Sequence, residues 1–363
     1  MRVTNETQAE PGQPHDAHGG VLVDEHAADK RTRRKRLRIS LIVAASVLAL
    51  LGAAIGTAYL MVQSWFNEVQ TVDIAPDPTL KRPEKVEVPP EEKAPVNILL
   101  LGSDSRQAIT DMRGFRSDTM MVAQVSPDRQ HVTFMSIMRD NWVPIQGVGE
   151  AKINAAFSYG GVPLAVNTVE NFVGVRIDHV MIVDFESFKG LTEAVGGVAL
   201  QNTVDFQSSE IDHYFPAGPI LISDGDLALT YVRERYAFQD GDYQRVRNQQ
   251  SFVKGLAQKI LSKETLSSPQ RILDTASAIK PYLMVDEGFT LDRAVELGLE
   301  MRDMRGDGLT FFTSPTLGTG TSDDGQSIVI PNDAELANVR AAFQAGTLYE
   351  YATGLAPGAE RPQ

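Results

Sequence analysis

The chain has 363 residues, 42% of them hydrophobic, and a net charge of −13. That length fits one large or two small domains and is enough for a sizeable core. The acidic balance excludes nucleic-acid binding by the chain as a whole, and the absence of cysteine excludes disulfides, thiolate metal sites and cysteine nucleophiles.

Residues 1–38 read as a disordered tail that ends in a basic run, with seven Lys or Arg between Lys30 and Arg38. From Ile39 to Val62 no residue is charged. As a helix this run would reach about 36 Å, enough to cross the roughly 30 Å hydrocarbon core of a bilayer. The basic run places the N-terminus on the cytoplasmic side and everything after residue 62 outside. Residues 63–95 alternate Pro, Glu and Lys and predict an extended spacer that holds the following domain off the bilayer.

A domain is expected over 96–345, with a loose tail over 346–363. Val96–Leu101 is a continuous apolar run, as in a buried strand. Thr119–Val125 and His131–Ile137 are further strands, joined by a turn at Ser126–Gln130. A helix is expected over Pro163–Val173, a strand at Val180–Phe185, helices over Asp224–Arg235 and Arg245–Lys263, and strands at Leu309–Thr313 and Ser327–Ile330. A last helix runs to Phe343, capped by Asn332 or Asp333. Alternating strands and helices predict a three-layer α-β-α domain with a central mixed sheet.

Polar clusters fall at the ends of these elements: Gly102–Arg106 with Asp104, Arg116–Thr119 with Asp118, Arg139-Asp140, Tyr231–Arg235 with Arg233, and Asp242–Gln250 with Arg245 and Arg247. Ligands of open α/β sheets bind beyond strand ends. Arginine forks suit phosphate oxygens, and two carboxylates suit Mg²⁺ beside a phosphate. Taken singly, each residue is more often half of a surface ion pair. Their concentration on an acidic chain is what favours an anionic ligand. His131 reads as a turn residue and His179 as a structural one, and no P-loop or dinucleotide-binding glycine pattern occurs.

In order, Asn97-Ile-Leu-Leu-Leu-Gly-Ser-Asp-Ser-Arg106, Arg116-Ser-Asp-Thr119, Ser136-Ile-Met-Arg-Asp140, Lys152-Ile-Asn-Ala-Ala-Phe157, Tyr231-Val-Arg-Glu-Arg235 and Asp242–Gln250 resemble the LytR-CpsA-Psr family from Val96 to about Phe343. The resemblance implies a membrane-anchored extracytoplasmic phosphotransferase. It would move a glycopolymer phosphate from a polyprenyl-pyrophosphate carrier to a peptidoglycan hydroxyl. A polyprenyl-pyrophosphate hydrolase and a non-catalytic lipid-phosphate binder are the alternatives. By position it implies Asp104 and Asp118 as ligands of Mg²⁺ (or Mn²⁺). Arg106, Arg116, Arg139, Arg233, Arg235, Arg245 and Gln249 would contact the pyrophosphate, with Arg139 nearest the chemistry. Lys152, Asn154, Asp140, Asp242 and Arg247 are further candidates. Two departures stand out. Asn248 replaces a common arginine, for which Arg247 could substitute, and Met138 replaces a common proline.

Overall fold

The computed structural model describes residues 70–72, 74, 79–89, 91–103, 117–260, 262, 278–301, 304 and 308–354. The expected membrane span at 39–62 lies outside them, as do Asp104, Arg106 and Arg116. Among the described residues no helix is long and apolar enough to cross a membrane.

In chain order the larger elements are β1 (Gln70–Val72), β2 (Val96–Ser103), β3 (Ser117–Val125), β4 (Val132–Ile137), β5 (Trp142–Ile145), β6 (Gly149–Lys152), α1 (Ala155–Val173), β7 (His179–Asp184) and α2 (Phe185–Ala194). There follow β8 (Val198–Asn202), β9 (Phe206–Gln207), β10 (Tyr214–Phe215), β11 (Gly218–Ile222), α3 (Gly225–Arg233), α4 (Asp242–Ile260), β12 (Met284–Asp286) and α5 (Leu291–Glu300). The chain continues through β13 (Leu309–Thr313), β14 (Thr316–Thr321), β15 (Ser327–Pro331), α6 (Asp333–Ala345) and α7 (Leu348–Thr353). Seven strands form one mixed sheet in the order β1-β12-β7-β2-β3-β4-β13. Strand β2 runs parallel to β7 and antiparallel to β3, and β4 runs parallel to β13.

Side chains alternate across a strand, and here both faces are buried. Leu99, Leu101, Met120, Val122, Met135 and Ile137 pack on one face against Phe157, Val169 and Val173 of α1, Val339 and Phe343 of α6, and Leu348 of α7. Val96, Ile98, Ala123, Val125, Val132 and Phe134 face the other way, toward Leu297 of α5 and Val253 and Ala257 of α4. Helices on both faces explain why these strands read as unbroken apolar runs. A separate cluster joins β8–β11 to α3 and α4 through Phe206, Phe215, Tyr231 and Phe252.

Three expectations need correction. The helix expected from Pro163 begins at Ala155 and is kinked at Gly160–Gly161, where Gly161 takes φ 63°. Only glycine adopts such a backbone freely, and Pro163 then sits in the first turn after the kink, where its missing N–H costs little. The chain after 346 is not loose as far as Thr353. Helix α7 buries Leu348 and Ala352, and Tyr349 stacks on His131 at 3.7 Å. The spacer is not a free extension either. Residues 79–89 lie along α1, with Asn167 Nδ2 donating to Lys81 O at 2.8 Å and Arg176 Nε to Pro83 O at 2.9 Å. Arg82 makes a two-pronged pair with Glu170, Nε to Oε2 at 2.7 Å and Nη2 to Oε1 at 2.5 Å. Glu170 is fully buried. Its proline-rich composition keeps this segment extended, and side chains of α1 and of the residues just after it catch its carbonyls.

Removing one partner of a buried ion pair strands the other charge. Arg82→Ala should therefore destabilise the protein by about 3 kcal/mol, read as a lower urea midpoint. An unchanged midpoint would show that the strap contributes nothing.

Candidate active site

The ends of β2 and β4 and the start of β3 lie side by side at one end of the sheet. Strand β2 closes with Ser103 opposite Ser117 of β3, and the register shifts there, so Asp118 lies in a β-bulge. Bulges re-aim side chains at functional edges. Gly102 makes this close approach possible, since a Cβ there would stand 2.9 Å from Thr119 Cβ.

Two residues beyond β4, Arg139 sits in a turn held from two sides. Asn154 N–H donates to Arg139 O at 3.2 Å, and Val329 N–H to Asp140 O at 2.9 Å. Met138 is buried with Val246 and Val329, so apolar packing anchors the turn. Arg139 opens onto a cleft of about 740 Å³ whose lining includes Asp140, Lys152, Asn154, Tyr159, Arg235, Asp240, Asp242, Thr319 and Gln326.

Charge is organised around two carboxylates. Asp242, at the start of α4, lies 3.2 Å from Arg245 Nη1, 3.9 Å from Arg235 Nη1 and 3.9 Å from Arg139 Nε. Asp140 lies 3.1 Å from Lys152 Nζ and 3.6 Å from Arg139 Nε. Asp240 is matched by Arg247. Five cations thus share three carboxylates, a local surplus of two positive charges on a chain of net −13. Such a surplus suits a dianionic phosphate group.

The other expected residues are placed differently. Arg233 points to Glu210 at 3.5 Å and stands 5.0 Å from the centroid of the Phe185 ring. Arg247 also donates to Gln244 Oε1 at 2.8 Å, within its own helix. Asn248 is buried and donates to Tyr231 O at 3.3 Å, so it ties α4 to α3. Gln249 is likewise buried and donates to Val232 O at 3.3 Å. Of Asp118 only the backbone position is described. Among the described residues no three His, Cys, Asp or Glu side chains cluster as metal ligands. The backbone does bring β2, whose next residue is Asp104, beside the bulge that carries Asp118.

One positioning group escaped the sequence reading. Glu234, between Arg233 and Arg235, is 1% exposed. It accepts from Ser209 N and Oγ at 2.7 Å each, from Ser208 Oγ at 3.1 Å and from Arg235 N and Tyr236 N at 3.0 Å each. Burial pushes its carboxyl up, but the bonds from Ser209, Ala237 and Ser208 outweigh this and hold it below the ordinary glutamate value. Its flanking arginines were the available signal.

The geometry defines an α/β domain with a cationic, phosphate-suited cleft at the sheet edge. Residues 64–345 match the LytR_cpsA_psr family model, and the chain belongs to that family. The match begins inside the segment that the sequence reading took for a spacer. The chain is 35% identical over 263 residues to the polyisoprenyl-teichoic acid–peptidoglycan teichoic acid transferase TagU of Enterococcus faecalis, covering 72% of this chain and 83% of that protein. It is 29% identical over 281 residues to the TagU of Halalkalibacterium halodurans, covering 76% and 90%. The crystal structure of B. subtilis TagV superposes with a TM-score of 0.60 at 26% identity, covering 70% of this chain and 98% of that one.

The sign of the Glu234 shift makes a pH prediction. A carboxyl held low contributes stability that is present above its unfolded pKa and is lost as pH falls through the folded value. Glu234→Gln should therefore be less stable than the parent at pH 7, and the difference should shrink toward pH 3 in denaturation curves. A difference independent of pH would refute the charged role.

Proposed function

We propose that the protein is a membrane-anchored phosphotransferase of the cell envelope. It moves a glycopolymer phosphate from a polyprenyl-pyrophosphate carrier to a hydroxyl of peptidoglycan. The kinship to TagU supports the reaction class. The observation that carries the reading onto these residues is the surplus of cations gathered on Asp242 and Asp140.

In this reaction the acceptor oxygen bonds to phosphorus and the anhydride P–O bond breaks. The carrier leaves as polyprenyl monophosphate, and the hydroxyl proton passes to solvent. Phosphoryl transfer is mainly a matter of positioning and of stabilising charge on the equatorial and leaving oxygens. Asp242 holds Arg139, Arg235 and Arg245 together before substrate arrives, so little reorganisation is needed when the anion binds. Asp140 does the same for Lys152 and Arg139. Asp104 and Asp118 would hold Mg²⁺ or Mn²⁺, which would neutralise the pyrophosphate charge. The uncharged run 39–62 anchors the chain, with the basic tail inside and the domain outside.

The test uses the full chain in detergent with a polyprenyl-pyrophosphate-linked sugar, soluble peptidoglycan strands and Mg²⁺. The parent should form a phosphodiester product. Arg139→Ala should lower kcat by about 100-fold or more, and EDTA should abolish turnover until Mg²⁺ is restored. Release of free sugar phosphate alone, with acceptor present, would make the protein a hydrolase. Bound carrier without any turnover would make it a binding protein.

A further inference from the structure

The cations form only part of the cleft wall. Elsewhere the lining is neutral: Tyr159 from α1, Gln239, and Thr319, Gln326 and Ser327 from the β14–β15 hairpin. A phosphate only accepts hydrogen bonds from protein, whereas amides and hydroxyls are suited to a ligand that both donates and accepts.

Asn154 gives this wall its direction. It lines the cleft and is only 5% exposed. It occupies the N-cap position of α1, yet its side chain makes no capping bond, and none to any other described residue. Its amide is therefore available to a ligand hydroxyl in the cleft. Tyr159, in the first turns of the same helix, is 59% exposed and stacks on no described ring. An amide and an open aromatic ring lining one cleft are a combination that can hold a sugar ring. The amide meets a hydroxyl, and the aromatic face meets the ring's C–H face.

We propose that Asn154 and Tyr159 form the acceptor subsite, holding a neutral sugar ring of the acceptor strand with one hydroxyl turned toward the phosphate at Arg139. This rests on the transferase reading. The backbone bond of 3.2 Å from Asn154 N to Arg139 O fixes the ring-binding residue relative to the phosphate-binding one. Among the described residues, none from β2 or β3, the strands that lead to Asp104 and carry Asp118, lines the cleft. The described lining of the subsite thus comes from elements other than those two strands. In-line displacement needs the attacking hydroxyl and the leaving carrier on opposite sides of phosphorus.

The experiment measures initial rates for the full chain, Asn154→Ala and Tyr159→Ala, varying soluble uncross-linked peptidoglycan strands at saturating donor and the reverse. Each variant should raise the acceptor KM about tenfold, the scale of one lost hydrogen bond or ring contact, and move the donor KM less than twofold. An unchanged acceptor KM overturns the assignment. So does a rise confined to the donor KM, which would give the ring to the donor glycan. Binding of fluorescent strands without donor, followed by anisotropy, separates this from the transferase reading. If parent protein binds strands and Tyr159→Ala binds them about tenfold more weakly, the subsite stands even where no transfer is seen. If parent protein binds no strands, the subsite is wrong whatever the enzyme does.

Discussion

The central constraint is that β2, β3 and β4 are buried on both faces. Leu99 and Leu101 must face α1 while Ile98 faces α5 and α4. A slip of one residue would reverse every side chain and bury nothing correctly. That constraint locks the register, and the register decides where the strands stop. Ser103, the bulge at Asp118 and the turn at Arg139 reach the same sheet edge for this reason. The polar site is a by-product of how the apolar residues must pair.

Electrostatics then makes the edge useful. An acidic chain repels anions at long range, so a phosphate site on it needs a dense local reversal of sign. Here arginines approach one another closely, which would be unfavourable but for the carboxylate of Asp242 among them. Glu234 does comparable work from behind. It anchors the segment bearing Arg233 and Arg235 to the loop at Ser208–Ser209.

Legibility followed the physics. The doubly buried strands announced themselves as apolar runs, and β13 was read to the residue. Of the two cap candidates, Asn332 and Asp333, it is Asn332 that accepts from Glu335 N at 3.2 Å. The β8–β11 region was missed because its strands are short, two of them only two residues long, and their burial pattern arises from packing on α4. The arginines of the site were visible as clusters, but their separate destinations were not. Composition and spacing alone do not distinguish Arg139, which faces the cleft, from Arg247, which bonds within its own helix. The neutral wall was also hidden, because Asn154 and Gln326 meet only through tertiary structure.

The strap at residues 79–89 has a mechanical consequence. Force applied to the chain before residue 70 first meets three residues of β1 paired with β12 at the outer edge of the sheet. Next in line is the Arg82–Glu170 pair on α1. Both lie upstream of β2 in the load path, so a tug on the N-terminal side is absorbed by a sacrificial edge before it reaches the strand ends that align the cleft. A pull from the N-terminal side would thus be resisted by β1 and the strap before the cleft bears any load.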